Sequence, residues 1–136
     1  MAIQTTPFQR PLAVMMRRTL RAIGPDATLL EAAKLMREAR VGALLVQEAG
    51  RYSGIVSESD LVRKGMAEAC QAQETSVRAV MSSPLLSIEI TSSAHEASEK
   101  MAEHGIRHLA IAEEGQIVGM ISVRDLLRYF KNWGGL

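Results

Sequence analysis

With 136 residues, 47% of them hydrophobic and 23% charged, this is one compact domain's worth of chain, with a balance that excludes a disordered or fibrous polypeptide. Sixteen Lys and Arg against fifteen Asp and Glu leave a formal net charge of +1, which excludes a global electrostatic footprint for nucleic acid or a membrane surface. The single Cys70 excludes an internal disulfide and a cysteine metal site, and no apolar run is long enough to cross a bilayer.

Residues 1–11 contain Pro7 and Pro11 and no apolar core, so they do not read as a secretory signal, and a cytoplasmic protein is expected. An extended segment is predicted over 19–23. A helix follows, opened by Thr28-Leu-Leu-Glu31, in which the hydroxyl caps the third helical N–H and the Glu reaches back to the N–H of the cap. Leu29, Ala32, Ala33 and Met36 recur at helical spacing and give this helix one buried face. Two strands are predicted next, over 41–46 and 52–56, joined by a turn at Gly50 where φ > 0 is allowed. A closing helix over 59–68 leads into a polar connector, 71–76, and a short helical turn over 77–81.

The same order then recurs: an extended segment over 84–88, a helix opened by Ser93-Ala-His-Glu96, strands over 107–112 and 117–121 around Gly115, and a helix over 123–131. Shifted by 65 positions, residues 16–63 superpose on 81–128 without a gap, and 15 of the 48 pairs are identical. Such a period means one structural unit built twice, β-α-β-β-α in each copy. A three-stranded sheet with helices on one face leaves the other face bare, and two copies can bury those faces together, which explains the pairing. The eight Met residues read as adaptable core filling.

The identities concentrate on Gly54-Ile-Val-Ser57-Glu-Ser-Asp60 and Gly119-Met-Ile-Ser122-Val-Arg-Asp125, where a strand runs into a helix. Hydroxyl and carboxylate three residues apart project from one side of a helix start, where unpaired N–H groups and the helix dipole favour a phosphate. Ser can bond phosphate oxygen and a carboxylate can accept both hydroxyls of a ribose. The competing reading is that these Ser and Asp residues are N-caps.

On these residues, and on the run Ile106-Arg-His-Leu-Ala-Ile-Ala-Glu-Glu-Gly-Gln-Ile-Val-Gly119, the chain resembles the cystathionine-β-synthase (CBS) domain pair, also called a Bateman module. The resemblance covers about 14–130. It implies an α+β fold of tandem βαββα repeats packed sheet to sheet about a pseudo-twofold axis, with clefts for AMP, ADP, ATP, S-adenosylmethionine or NAD. Carried over by position, it implies that Asp60 and Asp125 hold ribose hydroxyls, that Ser57 and Ser122 approach phosphate, and that backbone near Ile23 and Ile88 contacts adenine. Arg107 and His108 match positions that face phosphates. The boundaries expected are an extension over 1–13, repeats over 14–70 and 80–130, a connector over 71–79 and a tail over 131–136.

The two halves differ where charge is concerned. Gly42-Ala43 stands where the second half has Arg107-His108, Ser59 stands for Arg124, and Ala22 replaces the hydroxylated Ser87. The two clefts are therefore expected to be unequal, with Arg124 counted among the ligand residues. Other basic residues, Arg10, Arg17, Arg18 and Arg21, read first as solvated surface, with a phosphate-bearing ligand as the alternative for a few.

His104 and His108 are four apart, but Gly105 lies between them as helix passes to strand, so no metal site is expected. His95 reads as a surface residue, and no catalytic triad or acid–base pair assembles. Tyr129, Phe130 and Trp133 either finish the last helix against the core or anchor a partner. The expectation is a non-enzymatic regulatory module that needs no cofactor. It would bind an adenosine-containing ligand and transmit occupancy to a homodimer or a regulated protein, without nucleic acid or membrane. The alternative is a ligand-free structural or oligomerisation module whose Ser/Asp pairs are caps.

Overall fold

The computed structural model describes residues 11–132; Trp133 and residues 1–10 lie outside them. The chain divides into two compact units that do not follow the sequence repeats. One is Arg21–Leu86, and the other joins the segment ahead of Arg21 to the chain from Ser87 onward.

The Arg21–Leu86 unit contains β1 (Ala22–Ile23), α1 (Leu29–Ala39), β2 (Ala43–Glu48), β3 (Arg51–Ser57) and α2 (Glu58–Asp60). The sheet order is β1-β2-β3, with β1 parallel to β2 and β2 antiparallel to β3. Helix α1 begins at Thr28 because its Oγ1 accepts from Glu31 N–H while Glu31 Oε2 accepts from Thr28 N–H, both at 3.1 Å. It stops at Arg40, whose φ of 56° leaves the helical region. Leu29, Ala32 and Met36 bury one helical face against Leu44, Val46 and Val56 of the sheet. The β2–β3 hairpin closes through Ala49 and Gly50 with φ of 51° and 77°, the paired positive angles of a type I′ turn.

The closing helix of this unit departs from the expected regular helix over 59–68. After Asp60 the backbone widens into a π-helical turn, Leu61–Gly65, and tightens into a 3₁₀ turn, Met66–Glu68. Gly65 is the weak point, a residue with little helix preference. Its bare Cα also faces α1, since a Cβ there would lie 2.9 Å from Leu29 Cδ1.

The second unit contains β4 (Ser87–Glu89), α3 (Ala94–His104), β5 (His108–Glu113), β6 (Gln116–Ser122) and α4 (Val123–Asn132). Its sheet, β4-β5-β6, repeats the first in direction and register, including a shift between Ile111 and Ala112 that matches the one between Val46 and Gln47. The Ser93 box closes by half. Ser93 Oγ accepts from Glu96 N–H at 3.1 Å, but Glu96 Oε1 takes the Ser93 hydroxyl at 3.4 Å and does not reach back to the cap's N–H.

Each unit is completed by the leading segment of the other repeat. In the Arg21–Leu86 unit the segment is the 3₁₀ turn Val77–Ala79 with the residues after it; Val77 and Val80 join the core around Leu29 and Met36. Ser82 then exchanges two backbone hydrogen bonds with Ile55 of β3, at 2.8 and 3.0 Å. In the second unit the 3₁₀ turn Leu12–Val14 plays this part, with Leu12 fully buried, and Arg17 exchanges bonds with Met120 of β6 at 2.8 and 2.9 Å. Both crossings need a glycine beneath them. A Cβ on Gly119 would lie 2.9 Å from the Arg17 carbonyl oxygen and 2.7 Å from Met16 Sδ, and one on Gly54 would collide with the carbonyl oxygen of Ser82.

Candidate functional site

In both units the strand after the hairpin runs straight into a helix, and its last residue is the serine of the repeated motif. Ser57 Oγ accepts from Asp60 N–H at 3.2 Å, while Asp60 Oδ2 accepts from Ser57 N–H at 2.9 Å and from its hydroxyl at 3.1 Å. Ser122 and Asp125 repeat this arrangement at 3.1, 2.9 and 3.0 Å. The helix-capping reading of the motif is thus realised in the geometry. It engages one oxygen of each carboxylate.

The other oxygen faces a cation in both units. Asp125 Oδ1 is 3.1 Å from Arg17 Nε, and Asp60 Oδ1 is 3.0 Å from Lys64 Nζ. Both carboxylates are buried, Asp60 at 7% and Asp125 at 8% exposure, and a buried charge needs such partners. The two cations are not equivalents under the repeat. Arg17 comes from the crossing segment and corresponds to Ser82; Lys64 sits one helical turn beyond Asp60 and corresponds to Tyr129.

Lys64 Nζ also donates to Val80 O and Ser82 Oγ, each at 3.3 Å, so its three N–H groups have three acceptors. Arg17 donates one of its five N–H groups, and among the described residues its terminal nitrogens have no acceptor.

The remaining predicted residues divide by position. His108 lies opposite Ser122 in the β5–β6 register, and the Arg107 carbonyl accepts from the N–H of Val123, the first residue of α4. Arg107, His108, Ser122, Arg124 and Asp125 are therefore gathered at one end of the second sheet, with Arg107 and Arg124 exposed. The corresponding end of the first sheet has Ala43 opposite Ser57, the Gly42 carbonyl accepting from Glu58, and Glu58 and Ser59 before Asp60. One end is cationic around its aspartate; the other carries a second acid. Ile23 and Ile88 are not drawn to the Ser/Asp turns. They pair with Val46 and Ile111 on the outer strands, with β2 or β5 standing between them and the serine-bearing strand.

Lys64 was not among the residues expected to hold ligand, and Arg17 reads first in the sequence as solvated surface, with a phosphate only as the alternative for it and its neighbours. Lys64 was legible as the i+4 partner of Asp60 on a helix. Arg17 was not, because it reaches Asp125 from 108 residues away along a segment without periodic pattern. His104 ends α3, its Nδ1 on the Lys100 carbonyl at 3.0 Å, while His108 opens β5, so the two share no helical face. Among the described residues no cluster of three or more metal-ligating side chains occurs, and no helix is long and apolar enough to cross a membrane.

Comparison with known proteins agrees with the geometry. The sequence profile described as "CBS domain" matches twice, over residues 12–67 and 77–132. The CBS domain-containing protein YhcV of Bacillus subtilis is 36% identical over 104 residues, covering 76% of this chain and 74% of that protein. An uncharacterised conserved protein from Pyrococcus horikoshii superposes with a TM-score of 0.85 at 32% identity, covering 91% of this chain and 94% of its own. A putative signal-transduction protein with CBS domains from Burkholderia ambifaria does so with a TM-score of 0.80 at 33% identity, covering 83% of each chain.

Proposed function

The chain belongs to the CBS-domain family as a tandem pair, and from that premise we propose that it is a regulatory module that binds an adenosine-containing ligand at its Ser–Asp turns and performs no catalysis. The observation that carries this reading is the second carboxylate oxygen. A cap needs one oxygen, yet in both units the other is buried beside a cation, and non-equivalent residues supply that cation. Each carboxylate spends two acceptor sites of Oδ2 on its serine and one of Oδ1 on its cation, and the site left on Oδ1 suits a ribose hydroxyl. The cations at the second turn suit a phosphate.

Occupancy would act by population shift, favouring one arrangement of a homodimer or a regulated protein by as much as the ligand's affinities for the two states differ. The resemblance to a protein described as a signal-transduction protein supports the regulatory role, and twofold pairing is the commonest assembly of soluble chains.

Isothermal calorimetry with AMP, ATP, S-adenosylmethionine and NAD tests the ligand, and light scattering tests the dimer. Binding of one of the four, weakened by Asp125→Ala in a folded protein, is the expected result; binding of none at millimolar concentration overturns it. The second reading, a ligand-free interaction module, is favoured by the completeness of the capping bonds, since both Ser–Asp pairs are satisfied within the chain. It predicts lost stability on Asp125→Ala with no ligand to lose.

A further inference from the structure

Two features stand outside the proposed function, an apolar groove of about 270 Å³ between α3 and α4 and the Arg78 ion-pair cluster; within it lies a third, the inequality of the cations at the two aspartates. Nothing in the structure says what covers the groove, and the Arg78 cluster is a solvated surface contact. The cations carry more.

We infer that Arg17 is the specificity-determining residue of the Asp125 turn, selecting ligands with a phosphate next to the ribose, and that the Asp60 turn makes no such selection. The inference rests on the adenosine reading above and sharpens it to one turn and one ligand class.

Arg17 is placed by its backbone, which exchanges hydrogen bonds with Met120 at 2.8 and 2.9 Å over the bare Cα of Gly119. Its Nε is fixed on Asp125 Oδ1 at 3.1 Å, and its side chain is 39% exposed. A guanidinium held by Nε presents both terminal nitrogens as a fork, the geometry that suits a phosphate's two oxygens. Holding the carboxylate and the fork together sets recognition of a ribose hydroxyl and of a phosphate side by side on one pair of residues. Arg124 and Arg107, exposed at the same end of the sheet, add positive charge.

The Asp60 turn has the same carboxylate and cap but not the fork. Ser82 occupies the position of Arg17, and Lys64 has its three N–H groups engaged by Asp60, Val80 and Ser82. Glu58, in the position of Val123, adds negative charge at the head of α2, which opposes a phosphate. A neutral nucleoside diol suits that turn better than a nucleotide.

Paired calorimetric titrations with AMP and with adenosine test this, on the wild type and on Arg17→Ser, Arg17→Lys and Lys64→Ala. The wild type is expected to prefer AMP by about tenfold or more, as a charge-assisted bidentate contact provides. Arg17→Ser, which copies Ser82, should abolish that preference while adenosine still binds; Arg17→Lys should keep part of it, and Lys64→Ala all of it. Circular dichroism on each variant shows that it is folded. Equal weakening of AMP and adenosine in Arg17→Ser would mean that Arg17 merely steadies Asp125, and would overturn the inference. So would loss of the preference in Lys64→Ala, or a wild type that binds adenosine with no less affinity than AMP; in both, the adenosine reading stands. A wild type that binds neither overturns the inference, and its premise falls with it when ATP, S-adenosylmethionine and NAD also fail to bind.

Discussion

Asp125→Ala removes a capping acceptor, the partner of Arg17 and the proposed diol acceptor together, whereas Ser122→Ala removes the reciprocal cap and leaves the carboxylate. Each is expected to cost about 1 kcal/mol of stability in urea unfolding, the usual effect of a lost N-cap. They should part in calorimetry, where the alanine at 125 loses most nucleotide affinity and the alanine at 122 loses less. Gly119 gives a sharper test of the crossing. An added methyl would press on the Arg17 carbonyl, which both hydrogen bonds to Met120 hold in place, so Gly119→Ala should destabilise by about 1–3 kcal/mol. A Gly119→Ala protein as stable as wild type would refute the close approach. At this scale the sequence was informative about the motif residues and not about their partners. Ser57, Asp60, Ser122 and Asp125 stand out because they repeat. Arg17 corresponds to a serine, so the comparison of halves marks it as different and gives no hint of where it goes.

Among elements, the 3₁₀ turns of the two leading segments, Leu12–Val14 and Val77–Ala79, matter more than their three residues suggest. Leu12 is fully buried in the unit that follows Ser87, and Leu12→Ala should cost about 2–5 kcal/mol in denaturant unfolding. The turn Val77–Ala79 is tied down from outside as well. Arg78 bonds Glu48 at the end of β2 at 2.8 Å and Asp26 at 3.4 Å. The hydrogen bond from Arg78, and then its charge, hold the Glu48 carboxyl below the usual carboxylate range. The stabilisation is therefore present above the unfolded-state pKa of Glu48 and is lost as pH falls through the lower folded value. Glu48→Gln should lower the thermal midpoint slightly at neutral pH and make no difference in acid; half-exposed partners keep the effect small. Strands, α1, α3 and both hairpins follow from periodicity, capping residues and the turn glycines. Two details escape that logic. The helix widens after Asp60 up to Gly65, where Leu29 packs near a bare Cα, and Glu96 takes the serine hydroxyl in place of the cap's N–H, although the same spacing closes both halves of the Thr28 box.

Over the whole molecule, the unit of folding and the unit of repetition are different stretches of chain. Fragment 21–86 carries Val77 and Val80 with the core they complete, whereas fragment 14–70 lacks them and parts its leading segment from β6, the strand that segment lies on. The first should unfold cooperatively in urea and the second should show little or no transition; a cooperative 14–70 fragment would refute the division. The duplication is plain in the sequence, since 65-residue self-similarity needs no structure to be seen. The crossing is invisible there, because both leading segments look alike whichever unit they join. That crossing also bears on descent. A gene with a single copy of the repeat would encode a chain without the strand on which its opening segment lies here, and without the segment that here covers its motif glycine. Two such chains satisfy each other by trading those segments, so the present sequence reads as a traded pair joined end to end. Loss of either copy would now take from its twin the segment that completes it.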